Sequence, residues 1–249
     1  MKVLILAAGY GTRLYPIIKD TPKALLEING RPLTNYILDR FNGIADVNEV
    51  IIVTNNKFYQ HFLQWRDGQK GLPYRITVVN DLTQTPEDRL GSIGDIDFAI
   101  RAARLDEDIV VVGGDNLFDF NIREYLAFAG QQREAVTIGL YDIGSLKDAV
   151  KFGVVGTDKN NKIISFQEKP AEPKSTLIAM CFYYFPKATL GFVADYLAQV
   201  KKSDTAGDYI RWLREKKEVY GFKFSGQWYD IGSVEAFYEA QKAFDGNKL

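Results

Sequence analysis

The chain has 249 residues, of which 46% are hydrophobic and 25% are charged. A chain of this length and composition is typical of a globular protein that buries a core without cross-links. Its 31 basic and 32 acidic residues give a formal net charge of -1. This balance excludes the global positive field that holds nucleic acid or an anionic membrane, so we expect neither partner.

The cysteine content and the hydropathy pattern narrow the class of protein further. Cys181 is the one cysteine of the sequence, so an internal disulfide is excluded. It lies in the apolar run 178–185, which favours a small buried side chain over a nucleophile. No apolar stretch approaches the ~18 residues of a membrane span, and the run at the N-terminus is too short for a signal peptide. We therefore expect a cytoplasmic protein.

The first half of the chain alternates between strand-like and helix-like segments. Nearly continuous apolar runs predict buried strands over 3–8, 49–55, 74–80 and 108–114. Apolar spacing predicts helices over 31–43 and 93–105. This alternation indicates βαβ units and a parallel sheet, whose ligands bind at the carboxyl ends of the strands.

The second half has a different pattern. Strands are predicted over 135–141, 152–158 and 162–168, with a hairpin turn at 158–162. Helices are predicted over 187–202, 209–217 and 234–244. Because no linker or internal repeat interrupts the chain, we expect one mixed α/β domain over 1–249.

Two glycines end the first predicted strand, within ILAAGYGTRLYP. Gly9 and Gly11 allow a sharp turn and let backbone amides approach a ligand such as phosphate. A dinucleotide-binding fingerprint is excluded, because the third glycine and the acidic residue about 20 positions on are missing. A plain glycine-rich turn stays open on these two residues alone.

The longer string GYGTRLYPIIKDTPKALLEINGRPL (9–33) resembles the signature of sugar-1-phosphate nucleotidyltransferases. These enzymes join a nucleoside triphosphate to a sugar 1-phosphate and release pyrophosphate. Four further stretches match in order: RLGSIGD (89–95), GGDNLF (113–118), FGVV with FQEKP (152–155 and 166–170) and WYDIGS (228–233). The resemblance implies a Rossmann-like, mainly parallel sheet flanked by helices, of the nucleotide-diphospho-sugar transferase type. It also divides the single domain into a nucleotide-binding half (1–120) and a sugar-phosphate-binding half (121–249).

The resemblance also implies roles for individual residues around the nucleotide. Arg13 would bind the β- and γ-phosphates, and Lys23 would stabilise charge at the α-phosphoryl group in the transition state. Either residue alone would be read as a solvated surface charge. The nucleotide would further contact Leu6, Ala8, Gly9, Gly11, Thr12 and Gly91.

For the sugar phosphate, the resemblance implies a second set of residues. Lys169 would bind the phosphate group, Glu168 would accept hydrogen bonds from sugar hydroxyls, and Gly153 would leave room for the sugar ring. Without the other motifs, an exposed Glu-Lys pair beside a proline would be the simpler interpretation.

Two aspartates complete the implied site. Asp115 follows two glycines at the end of the fourth strand, and Asp230 precedes the last helix. The resemblance makes them joint ligands of one Mg²⁺ ion that also binds the α-phosphate, in keeping with the preference of this ion for oxygen ligands. Since a phosphate is already a nucleophile near neutral pH, no general base is required. His61, the single histidine, is predicted to lie on a partly exposed helix.

The sequence departs from the family pattern at two places. Asn80 stands where members that use dTTP or UTP have a glutamine that reads the pyrimidine, and Gln84 is a substitute for it. Met180 and Cys181 stand where many relatives have a small polar residue and a glycine. We expect a pyrimidine nucleoside triphosphate and a hexose 1-phosphate as substrates, and leave a homo-oligomer open.

Two alternatives remain at the level of the sequence. A cytidylyltransferase acting on a phosphorylated alcohol or phosphonate shares the glycine loop and the Pro-Lys pair. A catalytically silent regulatory homologue or sensor would share the fold. Such homologues usually lack the lysine or an aspartate, and here both are present.

Overall fold

The computed structural model describes residues 1–15, 17, 20–132, 134–200 and 205–244. Its strands are β1 (Lys2–Leu6), β2 (Glu27–Ile28), β3 (Arg31–Pro32), β4 (Glu49–Thr54), β5 (Arg75–Asn80), β6 (Ile109–Gly113), β7 (Asn116–Phe118), β8 (Val136–Asp142), β9 (Gly153–Thr157), β10 (Ile163–Glu168), β11 (Leu177–Phe185), β12 (Val219–Lys223) and β13 (Trp228–Asp230).

The helices alternate with these strands along the chain. They are α1 (Leu33–Phe41), α2 (Tyr59–Asp67), α3 (Gly91–Ala102), α4 (Ile122–Gln131), α5 (Leu146–Ala149), α6 (Gly191–Gln199), α7 (Ala206–Leu213) and α8 (Val234–Ala243). Two short 3₁₀ turns, Thr12–Leu14 and Lys23–Leu25, follow β1. No helix within the described ranges is both long and apolar enough to cross a membrane.

Within the described residues, nine strands form one central sheet. Its main path has the order β10-β9-β11-β6-β1-β4-β5; β8 joins it by pairing with β11, and β12 joins by pairing with β8. Strands β6, β1, β4 and β5 are parallel neighbours, with Leu6 paired to both Val53 and Gly113. The carboxyl ends of these strands therefore meet at one edge. The predicted mixed α/β fold with a mostly parallel core is confirmed.

Strand β11 is the longest of the strands that the sequence analysis missed. It runs antiparallel to β6 and also contacts β8 and β9, so it joins the two halves of the sheet. Its sequence LIAMCFYYF is apolar throughout, and such a run does not by itself distinguish a strand from a buried helix segment. The hairpin predicted at 158–162 is present, because β9 and β10 pair antiparallel.

Several predicted boundaries differ from the observed ones. The helix predicted over 187–202 is a 3₁₀ turn followed by α6, and its last two predicted residues lie outside the described part of the chain. The helix predicted over 209–217 starts earlier, at Ala206, where the Thr205 side chain accepts a hydrogen bond from the backbone of Asp208. Helix α4 and the ribbon of β7 and β13 were not predicted, because short segments carry little periodicity.

Both faces of the sheet are buried. Val3 and Ile5 of β1 contribute to the core beneath α1, α2 and α4, whereas Leu4 contributes to the core beneath α3, α6 and α7. A third cluster, which includes Leu14 and Phe237, joins the segment after β1 to α8. This placement explains the continuous apolar runs of the parallel strands.

Phe182 gives a test of the core beneath α4. Its ring lies 5.0 Å from the Tyr125 ring and 5.3 Å from the Phe224 ring, centroid to centroid, and it is fully buried. We expect Phe182→Ala to lower the free energy of unfolding by about 3–5 kcal/mol, because the removed ring leaves a cavity. Urea unfolding followed by circular dichroism measures this, with Leu146→Ala, at a half-exposed position, as the control. Equal losses in both variants would contradict the packing described.

Candidate active site

Two joined cavities open at the carboxyl edge of the parallel strands. The larger has a volume of about 450 Å³ and the smaller about 330 Å³. Gly9, Arg13 and Arg89 line both of them. Of the residues singled out in the sequence, the larger cavity is also lined by Leu6, Ala8, Gly91, Asp115, Gly153, Glu168, Lys169 and Asp230, and the smaller by Gly11, Thr12 and Lys23.

The segment 9–14, here called the glycine loop, is held by buried side chains from the end of β4. Asn55 donates a hydrogen bond of 2.8 Å to the Ala8 carbonyl, and Thr54 donates one of 3.3 Å to the Ala7 carbonyl. Gly11 has a left-handed backbone with φ of 66°, which a glycine adopts without strain. The loop is therefore fixed at its start, and Leu14 anchors its end in the third core cluster.

Lys23 reaches the site because the chain packs closely there. A Cβ atom on Gly114 would lie 2.8 Å from the Leu6 carbonyl oxygen and 2.9 Å from the Cβ atom of Ala24. Only a residue without a side chain allows the 3₁₀ turn at Lys23 to pack so near the end of β6. The Lys23 ammonium forms an ion pair with the Asp115 carboxylate.

Asp115 and Asp230 are brought together by the ribbon of β7 and β13. The ribbon pairs Asp230 with Asn116, and the Ile231 amide donates a hydrogen bond of 2.9 Å to the Asp115 carbonyl. Trp228 donates from its indole nitrogen to the Asn116 side chain at 2.7 Å, which fixes the ribbon further. Two residues more than a hundred positions apart thus line one cavity beside the glycine loop.

The two carboxylates act on each other and on the thiol below them. Burial, together with the neighbouring Asp115 charge, raises the pKa of Asp230 to about 6, although Lys23 and Arg13 oppose the shift. Burial and both carboxylates raise the pKa of Cys181 above its usual range, so the thiol stays neutral. Cys181 lines the cavity as a small uncharged side chain.

Glu168 and Lys169 lie at the opposite wall of the larger cavity. Burial raises the pKa of Glu168, and the Lys169 ammonium lies 3.7 Å from its carboxylate. A Cβ atom on Gly207, in the first turn of α7, would lie 2.0 Å from that carboxylate. At Gly153 the space for a Cβ atom is filled by the Phe166 ring at 2.4 Å. The glycine at this position therefore leaves room for the Phe166 ring, whereas the sequence analysis expected it to leave room for the sugar ring.

Lys169 has an unusual backbone. Its φ of 44° lies in the left-handed region, which a residue with a side chain rarely adopts, and its amide donates a hydrogen bond of 3.1 Å to the Phe152 carbonyl. Such strain persists where the surrounding structure holds it, and it is often found at functional residues. It directs attention to this lysine independently of the motif.

Asn80 and Gln84 do not line either cavity. The Asn80 amide donates to the Asn56 side chain at 2.9 Å, and its oxygen accepts a hydrogen bond from the Leu82 amide at 2.9 Å. The Gln84 oxygen accepts from Asn56 at 2.9 Å. These side chains therefore bond to one another beside the site, and the structure does not bring them together with the other proposed nucleotide contacts.

The sequence analysis missed several residues that form the site. Arg89, Ser92 and Asp95 line the larger cavity on the side of α3. All three lie within RLGSIGD (89–95), a motif in which only Gly91 was assigned a role. Asn55 and Asn116 support the site indirectly, by hydrogen bonds to Ala8 and from Trp228. Nothing in their local sequence indicates these contacts.

Comparison with known proteins gives a consistent result. A family model described as nucleotidyl transferase matches residues 2–246. A Bacillus anthracis protein assigned as a glucose-1-phosphate thymidylyltransferase, in complex with sucrose, is 25% identical with a TM-score of 0.81, over 99% of this chain and 98% of that one. Apo UDP-glucose pyrophosphorylase has the same fold. It is 22% identical with a TM-score of 0.83, over 100% of this chain and 99% of that one. UDP-glucose pyrophosphorylase complexed with UDP-glucose also has this fold. It is 21% identical with a TM-score of 0.80, over 97% of this chain and 97% of that one.

Gly9 tests whether the glycine loop faces a ligand. A Cβ atom at this position would meet no other atom of the protein within 4 Å, so Gly9→Ala should leave the melting temperature nearly unchanged. The added methyl group would project into the space where the loop approaches a ligand. We expect the affinity for dTTP or UTP to fall at least tenfold, measured by isothermal titration calorimetry.

Gly130→Ala is the matched control for this variant. A Cβ atom there is equally free of contacts within 4 Å, but Gly130 lies in α4, away from both cavities of the site. Unaltered nucleotide affinity in Gly9→Ala would show that the loop does not contact the nucleotide.

Proposed function

The chain belongs to the nucleotidyl transferase family, and we propose that it joins a nucleoside triphosphate to a sugar 1-phosphate, giving a nucleoside diphosphate sugar and pyrophosphate. One observation carries the proposal. Three kinds of charged group surround the joined cavities: the cations Arg13 and Lys23, the carboxylates Asp115 and Asp230, and the pair of Glu168 and Lys169.

The nucleotide would bind along the glycine loop. Its phosphates would lie near the smaller cavity, where Arg13 and Lys23 offer the positive charge that a triphosphate needs. The side chains of Asn55 and Thr54 hold the loop before any ligand arrives, so little reorganisation is required. Gly91, at the start of α3, would face the nucleoside in the larger cavity.

The sugar phosphate would bind against the opposite wall. Lys169 would hold its phosphate, and the partly buried Glu168 carboxylate would accept hydrogen bonds from hydroxyl groups of the sugar. A phosphate oxygen of the sugar 1-phosphate then attacks the α-phosphorus, and the bond from that phosphorus to the bridging oxygen of pyrophosphate breaks. Lys23 stabilises the charge that grows on the α-phosphoryl group. Catalysis consists of positioning and electrostatic stabilisation.

The carboxylates of Asp115 and Asp230 fit a magnesium ion. They are hard oxygen donors on adjacent segments, and the pKa of Asp230 is raised by burial and by the like charge of Asp115, which a cation would offset. Groups of three or more metal-binding side chains are absent among the described residues, which suits an ion that takes its other ligands from water and substrate phosphates. When bound, the ion would neutralise charge on the α-phosphate.

The first test compares two lysines. We expect Lys23→Ala to lower kcat by about 10²–10³-fold, because one oriented charge is removed beside the reacting phosphorus. Lys169→Ala should raise KM for the sugar phosphate in addition to any effect on kcat, because ground-state binding of the sugar phosphate is weakened. Steady-state assays of pyrophosphate release measure both.

Lys187→Ala is the control for both lysine variants, since that exposed lysine pairs with Asp106 at the other end of the sheet. A Lys23→Ala variant with near-normal kcat would contradict the assigned role.

The second test concerns the aspartates. Asp115→Asn and Asp230→Asn should each raise the Mg²⁺ concentration needed for half-maximal turnover at least tenfold, because each removes a charged ligand. The circular dichroism spectrum should stay unchanged. Asp106→Asn, an exposed aspartate far from the cavities, should behave as the unaltered protein. Full activity of both variants in limiting Mg²⁺ would exclude this metal site.

The substrates are tested by a panel. Pyrophosphate release from five nucleoside triphosphates, each combined with several hexose 1-phosphates, should be fastest with UTP or dTTP. Fastest release with ATP or GTP would contradict the pyrimidine preference. Release with CTP and a phosphorylated alcohol, but with no hexose phosphate, would favour the cytidylyltransferase alternative.

A further inference from the structure

Two buried aspartates next to the larger cavity have no role in the reaction described above. Asp95 lies in α3 and is 7% exposed, and Asp81 follows β5 and is 4% exposed. Asp95 lines the larger cavity together with Gly91 and Ser92 of the same helix. Two acidic side chains at this depth require either a partner of opposite charge or a bound proton.

The two carboxyl groups face each other. Oδ1 of Asp95 and Oδ2 of Asp81 are buried, and neither accepts a hydrogen bond from an amide, a hydroxyl or a cation in the described part of the chain. The two carboxyl groups lie within hydrogen-bonding reach of each other, and this contact lowers the pKa of Asp81 and raises the pKa of Asp95. Such a bond exists only if one of the two groups is protonated.

Hydrogen bonds extend from this pair to the glycine loop. The other oxygen of Asp81 accepts from the amide and the hydroxyl of Thr83, both at 2.8 Å. The Thr83 hydroxyl oxygen in turn accepts a hydrogen bond of 3.1 Å from the hydroxyl of Tyr10 in the loop. A continuous chain of contacts thus runs from Tyr10 to Asp95, between two of the walls that would enclose the nucleotide.

We propose that Asp81 and Asp95 form an acid pair that shares one proton and positions the start of α3 against the glycine loop, so that nucleotide affinity depends on that proton. Asp81 and Asp95 are therefore positioning residues that act through Thr83 and Tyr10. This inference rests on the proposed function for its nucleotide, but the acid pair itself does not.

The electrostatics agree with this arrangement. Burial and the neighbouring Asp81 charge raise the pKa of Asp95 to about 8, and burial likewise raises the pKa of Asp81. The other charged groups around the pair are the Asp88 carboxylate, whose charge favours protonation of Asp81, and Arg89 on the same cavity wall. Tyr10 stays neutral, because burial raises its pKa. Above about pH 8 the pair loses its proton, and two like charges push α3 and the loop apart.

The test measures nucleotide affinity without turnover. Dissociation constants for dTTP and UTP with Mg²⁺, but without sugar phosphate, are measured by calorimetry from pH 6.5 to 9.5. For the unaltered protein we expect Kd to rise about tenfold at one pH unit above the pKa of the pair, since only the protonated form is competent. Asp95→Asn should show no such rise, because its amide donates permanently to Asp81. Asp81→Asn should likewise lose the rise.

Asp97→Asn is the matched control. It makes the same chemical change on the same helix, but Asp97 pairs with the exposed Arg101. This variant should keep the alkaline rise. Ionisation of the nucleotide itself affects all the proteins equally and cancels in the comparison. A parallel alkaline rise in Asp95→Asn and the unaltered protein would overturn the proposal, and so would an unaltered protein whose Kd is constant up to pH 9.5.

Thermal unfolding separates this inference from the proposed function. An acid whose pKa is raised by folding stabilises the folded state most below its unfolded pKa, and that contribution is lost as the pH rises from about 4 to about 8. The melting temperature of Asp95→Asn minus that of the unaltered protein should therefore become more positive as the pH rises from 5 to 9. A difference independent of pH would overturn the acid pair. Failure of every protein to bind dTTP or UTP at pH 7 would contradict the pyrimidine nucleotide of the proposed function, and the melting data would still decide the acid pair.

Discussion

The close approach of three backbone segments at Gly114 determines where the charges of the site lie. Its amide donates a hydrogen bond of 2.9 Å to the Leu6 carbonyl, and the absence of a side chain lets Ala24 pack within contact distance. Because Ala24 follows Lys23 directly, the same contact brings the ammonium group to Asp115. The packing of strands β1 and β6 thus sets the positions of the charged groups, and the site depends on Gly114 having no side chain.

The charged groups of the site are distributed so that few of them oppose each other directly. Lys23 offsets Asp115, and Lys169 lies beside Glu168. Asp230 is buried beside the Asp115 charge, and both effects raise its pKa, although Lys23 and Arg13 oppose the shift. If a nucleoside triphosphate binds with a cation, as proposed, that cation would offset the charge of this carboxylate.

The sequence predicted the local features of the site and much of the parallel sheet. The glycine loop and the Pro-Lys pair are contiguous motifs, whose geometry follows from residue types a few positions apart. The sequence did not predict the ribbon that joins Asp115 to Asp230, or the contact between Asp81 and Asp95, because such pairings depend on the tertiary fold. Strand β11 was missed for a similar reason, since a uniformly apolar run fits either type of element.

Asn80 illustrates the limit of reasoning by position. It stands at the end of β5, where a residue that reads the base is expected from the resemblance, yet its side chain is engaged by Asn56 and Leu82. A polar side chain near a site finds whichever partner is closest, and the competing donors and acceptors cannot be identified from one sequence. Ser92 and Asp95 of α3, by contrast, line the larger cavity.

The left-handed backbone of Lys169 has a consequence for adaptation. A residue with a side chain in this conformation loses about 1–2 kcal/mol relative to glycine, and that loss weakens the folded state whether or not substrate is present. Replacement by glycine would strengthen the fold and delete the ammonium group in one step. If Lys169 binds the sugar phosphate as proposed, selection for heat tolerance alone would favour a more stable but less active protein, so that a lysine at this position exchanges stability for activity.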